Sequence, residues 1–146
     1  MTPHERELVK GSWSQVGPDA MRLAELFYSR LFEMTPPLRR LFRGDIREQQ
    51  GRLAAMMGTL IADLDRLEDL RPALRELGRR HALYGVRPEH YATFGEALMW
   101  ALQRVLWSDF TPEVEEGWRA AYRLMAAEMQ AGAAATGEAS RPTGSA

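Results

Sequence analysis

Three polar residues interrupt otherwise apolar helical faces in this chain: an imidazole, an amide and a phenol, the types of one metal-ligating nitrogen and two hydrogen-bond donors. His81 continues a face made by Leu70, Leu74 and Leu77 while Arg79 and Arg80 project to the other side, so it points inward. Gly85 closes the same helix and leaves the histidine in its last turn. Taken alone, a histidine on an apolar face is more often a core residue satisfied by one hydrogen bond than a ligand. Gln49 heads a second apolar face, Leu53, Met56 and Leu60, where an aliphatic side chain would be less costly to bury. Tyr28 stands between Ala24 and Leu31 on a third face; by itself it reads as a core tyrosine whose hydroxyl reaches the surface. Three inward polar groups on three helices together describe an apolar pocket with a nitrogen on one side and two donors on the other. Gln50 is the rival to Gln49, because a one-residue shift of register exchanges them.

The elements that must position these groups are punctuated by proline, whose fixed φ and missing N–H suit the first turn of a helix. Thr2, Pro3 and Glu5 read as a cap, a first residue and an acid reaching back; Thr35 with Pro36, and Thr111, Pro112 and Glu113, repeat the pattern. Pro18, Pro72 and Pro88 are expected to open three more helices. Between these marks apolar residues recur at three- and four-residue spacing: Val9, Trp13 and Val16; Met21, Ala24, Tyr28 and Leu31; Leu53, Met56, Leu60 and Leu64; Leu70, Leu74, Leu77, His81 and Tyr84; Tyr91, Phe94, Leu98, Leu102 and Val105; Val114, Trp118, Tyr122, Met125 and Met129. No alternating strand pattern competes. The reading is an all-α chain of about seven helices, one short, over residues 1–133. The segment 134–146, rich in Gly, Ala and Ser, is expected to be a disordered tail.

Composition narrows the chemistry. At 146 residues the chain is one domain's worth. Lys+Arg total 19 against Asp+Glu 20, a near balance that argues against nucleic acid or an anionic membrane as the main partner. With no cysteine, disulfides, thiolate metal sites and thiol nucleophiles are all excluded, and the three histidines are the only strong nitrogen ligands. Neither a leader pattern nor a bilayer-length apolar run is present, so a cytoplasmic setting is expected.

An apolar pocket with one imidazole facing two donors is what a five-coordinate haem iron and its gaseous ligand require. The strings LFYSRLF (26–32), the 36–42 stretch ending LRRLF, EQQGRL (48–53), LGRRHALYGV (77–86) and HYATFGEAL (90–98), in this order and spacing, resemble the globin fold of bacterial single-domain haemoglobins and of flavohaemoglobins. The resemblance spans Glu7 to Gln130. It implies haem b as cofactor, His81 as the proximal iron ligand, Phe42 stacked on the haem edge, Leu53 as the distal apolar wall, and Tyr28 with Gln49 as the distal pair. Pro36 takes the proline at the start of the short third helix. The short spacing from Phe42 to Gln49 leaves no room for the extra helix of myoglobin-like members. Tyr91 matches a tyrosine that supports the proximal side, whereas Ala133 stands where flavohaemoglobins carry a proximal glutamate, so the resemblance implies no carboxylate push on the iron. Arg52 pairs with a haem propionate or faces solvent, His90 faces solvent or a propionate, and His4 is expected to be exposed.

Two donors toward a partially negative ligand imply tight oxygen binding, suited to storage, sensing or oxygen chemistry rather than delivery. Oxygen is the expected ligand, with nitric oxide and carbon monoxide as further gases. The alternatives are nitric oxide dioxygenation served by an external reductase, and a globin-type gas sensor or haem-free helical interaction domain. One pocket can serve all three, so fold resemblance alone does not choose among them.

Overall fold

A computed structural model describes residues 1–140, with side chains described through 135. Its α-helices are α1 (Pro3–Val16), α2 (Ala20–Met34), α3 (Ile46–Ala62), α4 (Leu67–Leu83), α5 (His90–Leu106) and α6 (Pro112–Ser140). The longest 3₁₀ segment, Pro36–Leu41, is the expected short third helix, and the described residues contain no strand. Only residues 42–45 separate it from α3, so no further helix intervenes there. α6 runs past residue 133 to Ser140; the rest of the expected tail, 141–146, lies outside the described residues.

The capping chemistry sets the starts. The Thr2 hydroxyl accepts from the Glu5 N–H at 3.1 Å while the Thr2 N–H donates to Glu5 Oε1 at 2.8 Å, with Pro3 as first residue. Thr111 accepts from the Val114 N–H at 3.3 Å to open α6 at Pro112. Pro18 and Pro88 lie in the turns just ahead of α2 and α5. Pro72 departs from expectation: it sits inside α4, which begins at Leu67. Leu67 and Leu70 pack into the core and draw the start back by more than a turn. The carbonyl of Glu68, which loses its donor to the proline, belongs to an exposed residue that water can serve.

α4 lies along α6, α2 packs between α5 and α3, and α1 rests on α6. Trp118 is fully buried at that last contact, and its Nε1–H donates to Ser12 Oγ at 2.8 Å. Two residues counted on apolar faces turn out exposed: Met21 (42%) at the outer end of α2 and Tyr84 (64%), just beyond the last turn of α4. At that end Gly85 takes φ +103°, and the N–H groups of Gly85 and Val86 donate to the carbonyls of Ala82 and His81. This pair of bonds is the Schellman arrangement, which asks for a residue without a Cβ at its left-handed position.

Candidate functional site

Where α2 to α6 converge, their facing sides enclose a cavity of about 470 Å³, within the 300–1,000 Å³ usual for cofactor-sized sites. Tyr28, Phe42, Gln49, Arg52, Leu53, His81 and Tyr91 all line it. Gln50 is half-buried and does not, so the register places Gln49 at the cavity. His4 is exposed, 3.9 Å from Glu113, and His90 turns its Nδ1 to the N–H of Arg87 at 2.9 Å rather than into the cavity.

α4 delivers His81 from its last turn. The Leu77 carbonyl, one turn back, lies 2.8 Å from His81 Nδ1 and fixes that nitrogen as the N–H donor. Nε2 is thereby left unprotonated, with its lone pair free toward the cavity. Burial pulls the pKa of the imidazole below its usual value, the Leu77 bond opposes this, and the Arg80 charge adds to the lowering, so the neutral form prevails near pH 7. Tyr91, expected to support the proximal side, has a buried hydroxyl with no hydrogen-bond partner among the described residues. Its backbone carbonyl accepts from the Tyr122 hydroxyl, which ties α5 to α6 behind the cavity.

Across from the imidazole, Tyr28 is 5% exposed and boxed by aromatic rings, Phe27 and Phe42 meeting it edge-on at 5.0 and 5.3 Å between centroids. Gln49 Nε2 donates to Tyr28 Oη at 3.3 Å. Because the tyrosine oxygen is engaged as acceptor, its own O–H is free to donate elsewhere. Burial raises the Tyr28 pKa and the Gln49 bond opposes it; the phenol therefore stays protonated and a donor at neutral pH. Arg52 reaches Gln49 Oε1 at 3.5 Å and Glu48 at 3.6 Å while keeping its side chain 71% exposed. It caps the rim of the site and orients the amide from outside.

Part of the lining comes from residues that periodicity alone does not assign to a site. Phe94 and Leu98 from α5, and Met125 and Met129 from α6, complete the apolar wall, and Arg80 and Tyr84 stand at its edge. The signal was present in the continuing three- and four-residue spacing, but periodicity tells an inward face from an outward one without saying what lies across from it.

The globin family model matches residues 25–129. The chain belongs to the globin family. It is 29% identical to a neuroglobin of Tetraodon nigroviridis over 94% of this chain and 96% of that one. It is 30% identical to a flavohemoprotein of Rhizobium meliloti over 86% of this chain, which is 32% of that longer protein. Among solved structures, an engineered carbene transferase made from RmaNOD, a candidate nitric oxide dioxygenase of Rhodothermus marinus, superposes with a TM-score of 0.88 at 26% identity, covering 95% of this chain and 97% of that one. A hexacoordinated heme protein of an anhydrobiotic tardigrade shares the fold at a TM-score of 0.83 and 18% identity.

Haem is the cofactor of globins, and the residues of this globin fit it. The donor set is a single imidazole, with no cluster of three potential metal ligands among the described residues, which would suit an iron that brings its remaining nitrogen ligands with it in a macrocycle. The cavity wall is apolar and aromatic apart from the groups named above. The Tyr91 hydroxyl is an orphaned buried donor facing that space, a cost that a polar ligand edge would relieve.

Proposed function

We propose that this globin binds oxygen tightly, with His81 holding the haem, Phe42 and Leu53 packing against it, Arg52 at its exposed edge and the Tyr28–Gln49 pair serving the gas. Bound haem supplies the iron at which a diatomic ligand acquires partial negative charge. Every other contribution comes from the chain. His81 Nε2 is presented neutral because Nδ1–H is committed to the Leu77 carbonyl. Tyr28 donates its O–H into the cavity because its oxygen already accepts from Gln49. The observation that carries this reading is that 3.3 Å hydrogen bond, which turns the amide into the orienting group and the phenol into the donor. The apolar and aromatic wall keeps water from competing for that donor.

A hydrogen bond of this kind in a dry site is worth about 1 to 2 kcal/mol, and about 1.4 kcal/mol is tenfold in an equilibrium constant. Tyr28→Phe is accordingly expected to speed oxygen dissociation at least about tenfold in stopped-flow displacement experiments. An unchanged off-rate would take Tyr28 out of the distal role.

Nitric oxide dioxygenation is the second reading, supported by the likeness to RmaNOD and to the haem part of flavohemoproteins. The match spans about a third of the Rhizobium meliloti protein, and in this reading the electrons come from a separate reductase. Ala133 at the position of the family's proximal glutamate gives the His81 side no added carboxylate, which favours ligand holding over fast turnover.

A further inference from the structure

Trp107 stands in a backbone conformation that a side chain of its size rarely adopts. At the C-terminal end of α5 it has φ 51° and ψ −119°, the only positive φ at a non-glycine among the described residues. The residue is also 72% exposed. Glycine would hold this backbone without strain, and a polar side chain would suit the exposure, so neither folding nor solvation accounts for an indole here. The same ring forms one wall of a second cavity of about 280 Å³, distinct from the haem site and lined by Trp100, Gln103, Arg104 and Trp107. The Arg104 guanidinium lies over the Trp100 ring, 4.4 Å from its centroid. Arg30, from α2, approaches the same ring at 5.3 Å but is paired with Glu33. Arg104 has no carboxylate within 4.0 Å among the described residues; Asp109, close by in sequence, does not pair with it.

We propose that this cleft is a binding site for a small planar aromatic carboxylate. The ring of the ligand stacks on the exposed Trp107 indole, and its carboxylate takes the unpaired edge of Arg104, which keeps its place over Trp100, with the Gln103 amide as a second donor. A guanidinium resting over an indole with no carboxylate partner keeps N–H groups available to a carboxylate, which arginine can take through two bonds. The cavity lies just below the 300 Å³ at which drug-sized sites begin, which is room for one bicyclic acid. The strain at Trp107 is explained if the indole is placed for the ligand, at some expense to stability.

Indole-3-acetate is the probe, titrated calorimetrically and by ligand-observed NMR into purified haem-loaded protein, with the Soret band monitored throughout. Saturable binding with an unmoved Soret band is expected. Trp107→Gly is expected to raise the thermal midpoint by roughly 2–6 °C and yet weaken the probe at least about tenfold. Arg104→Gln is expected to leave the midpoint in place and weaken the probe by a similar factor, and indole without its carboxylate is expected to bind at least about tenfold more weakly. No binding up to about 10 mM, binding that survives both substitutions, or a Soret shift that tracks occupancy would each overturn the proposal. So would a lowered midpoint in Trp107→Gly, because it would mean the indole serves the fold.

Discussion

Gly78→Ala is expected to destabilise the protein by about 3 kcal/mol and lower its thermal midpoint by on the order of 10 °C. An added Cβ at this position would lie 1.8 Å from the carbonyl oxygen of Met129 and 2.4 Å from its carbon. Those atoms are backbone, so no rotamer change can make room, and α4 must move away from α6. A matching contact lies one turn further on, where a Cβ on Gly132 would meet the Arg75 carbonyl oxygen at 2.0 Å. The two glycines let the helices approach backbone to backbone. The alanine also raises helix propensity by about 1 kcal/mol, which the clash outweighs. Gly51→Ala in α3 is the internal control: nothing lies within 4 Å of its added Cβ, so it is expected to stabilise by up to about 1 kcal/mol. The consequence reaches the site, because His81 stands three residues after Gly78 on the same side of α4. Calorimetry on both variants checks the expectation, and a Gly78→Ala midpoint within about 2 °C of the parent would show that the contact between the two helices yields easily.

His81→Ala is expected to have the largest functional effect, with purified protein retaining on the order of a tenth or less of the parent's haem. The lost atom is Nε2, the nitrogen left free when Nδ1–H is given to the Leu77 carbonyl. The fold is expected to survive, since His81 is half-buried and its helix is held by Leu70, Leu74 and Gly78. Free imidazole in the buffer is expected to restore haem binding by occupying the space the side chain leaves. Haem content by absorbance against protein concentration, with circular dichroism for the fold, separates loss of the ligand from loss of structure. Undiminished haem in a folded His81→Ala protein would assign the iron to another residue.

Much of the site was legible because polar residues on apolar helical faces are few and expensive. His81, Tyr28 and Gln49 each interrupted such a face, and all three line the one cavity the helices enclose around them. The proline and threonine pairs located the starts of α1 and α6 because capping is local chemistry, decided within four residues. Pro72 misled because a proline can also stand in the second turn when the residues before it, Leu67 and Leu70, gain more by burial than the missing hydrogen bond costs. Tyr84 kept the right spacing but falls at the C-terminal cap of α4, just before the chain turns away at Gly85. Which nitrogen of His81 is free, and which glycines permit contact, are tertiary facts: they depend on a carbonyl one turn back and on the approach of α4 to α6. The strain at Trp107 was invisible for the same reason, since the backbone angle at a helix end depends on how the chain leaves the helix and packs beyond it.

The most direct test of the central claim, that this globin holds haem through His81 and binds gas opposite it, is the optical spectrum of the purified protein in ferric, dithionite-reduced and oxygen-exposed forms. A five-coordinate reduced spectrum that shifts on admitting oxygen, with the shift reversing slowly when oxygen is removed, is the expected result. Protein in which no haem co-purifies, and to which none can be added back, would contradict it.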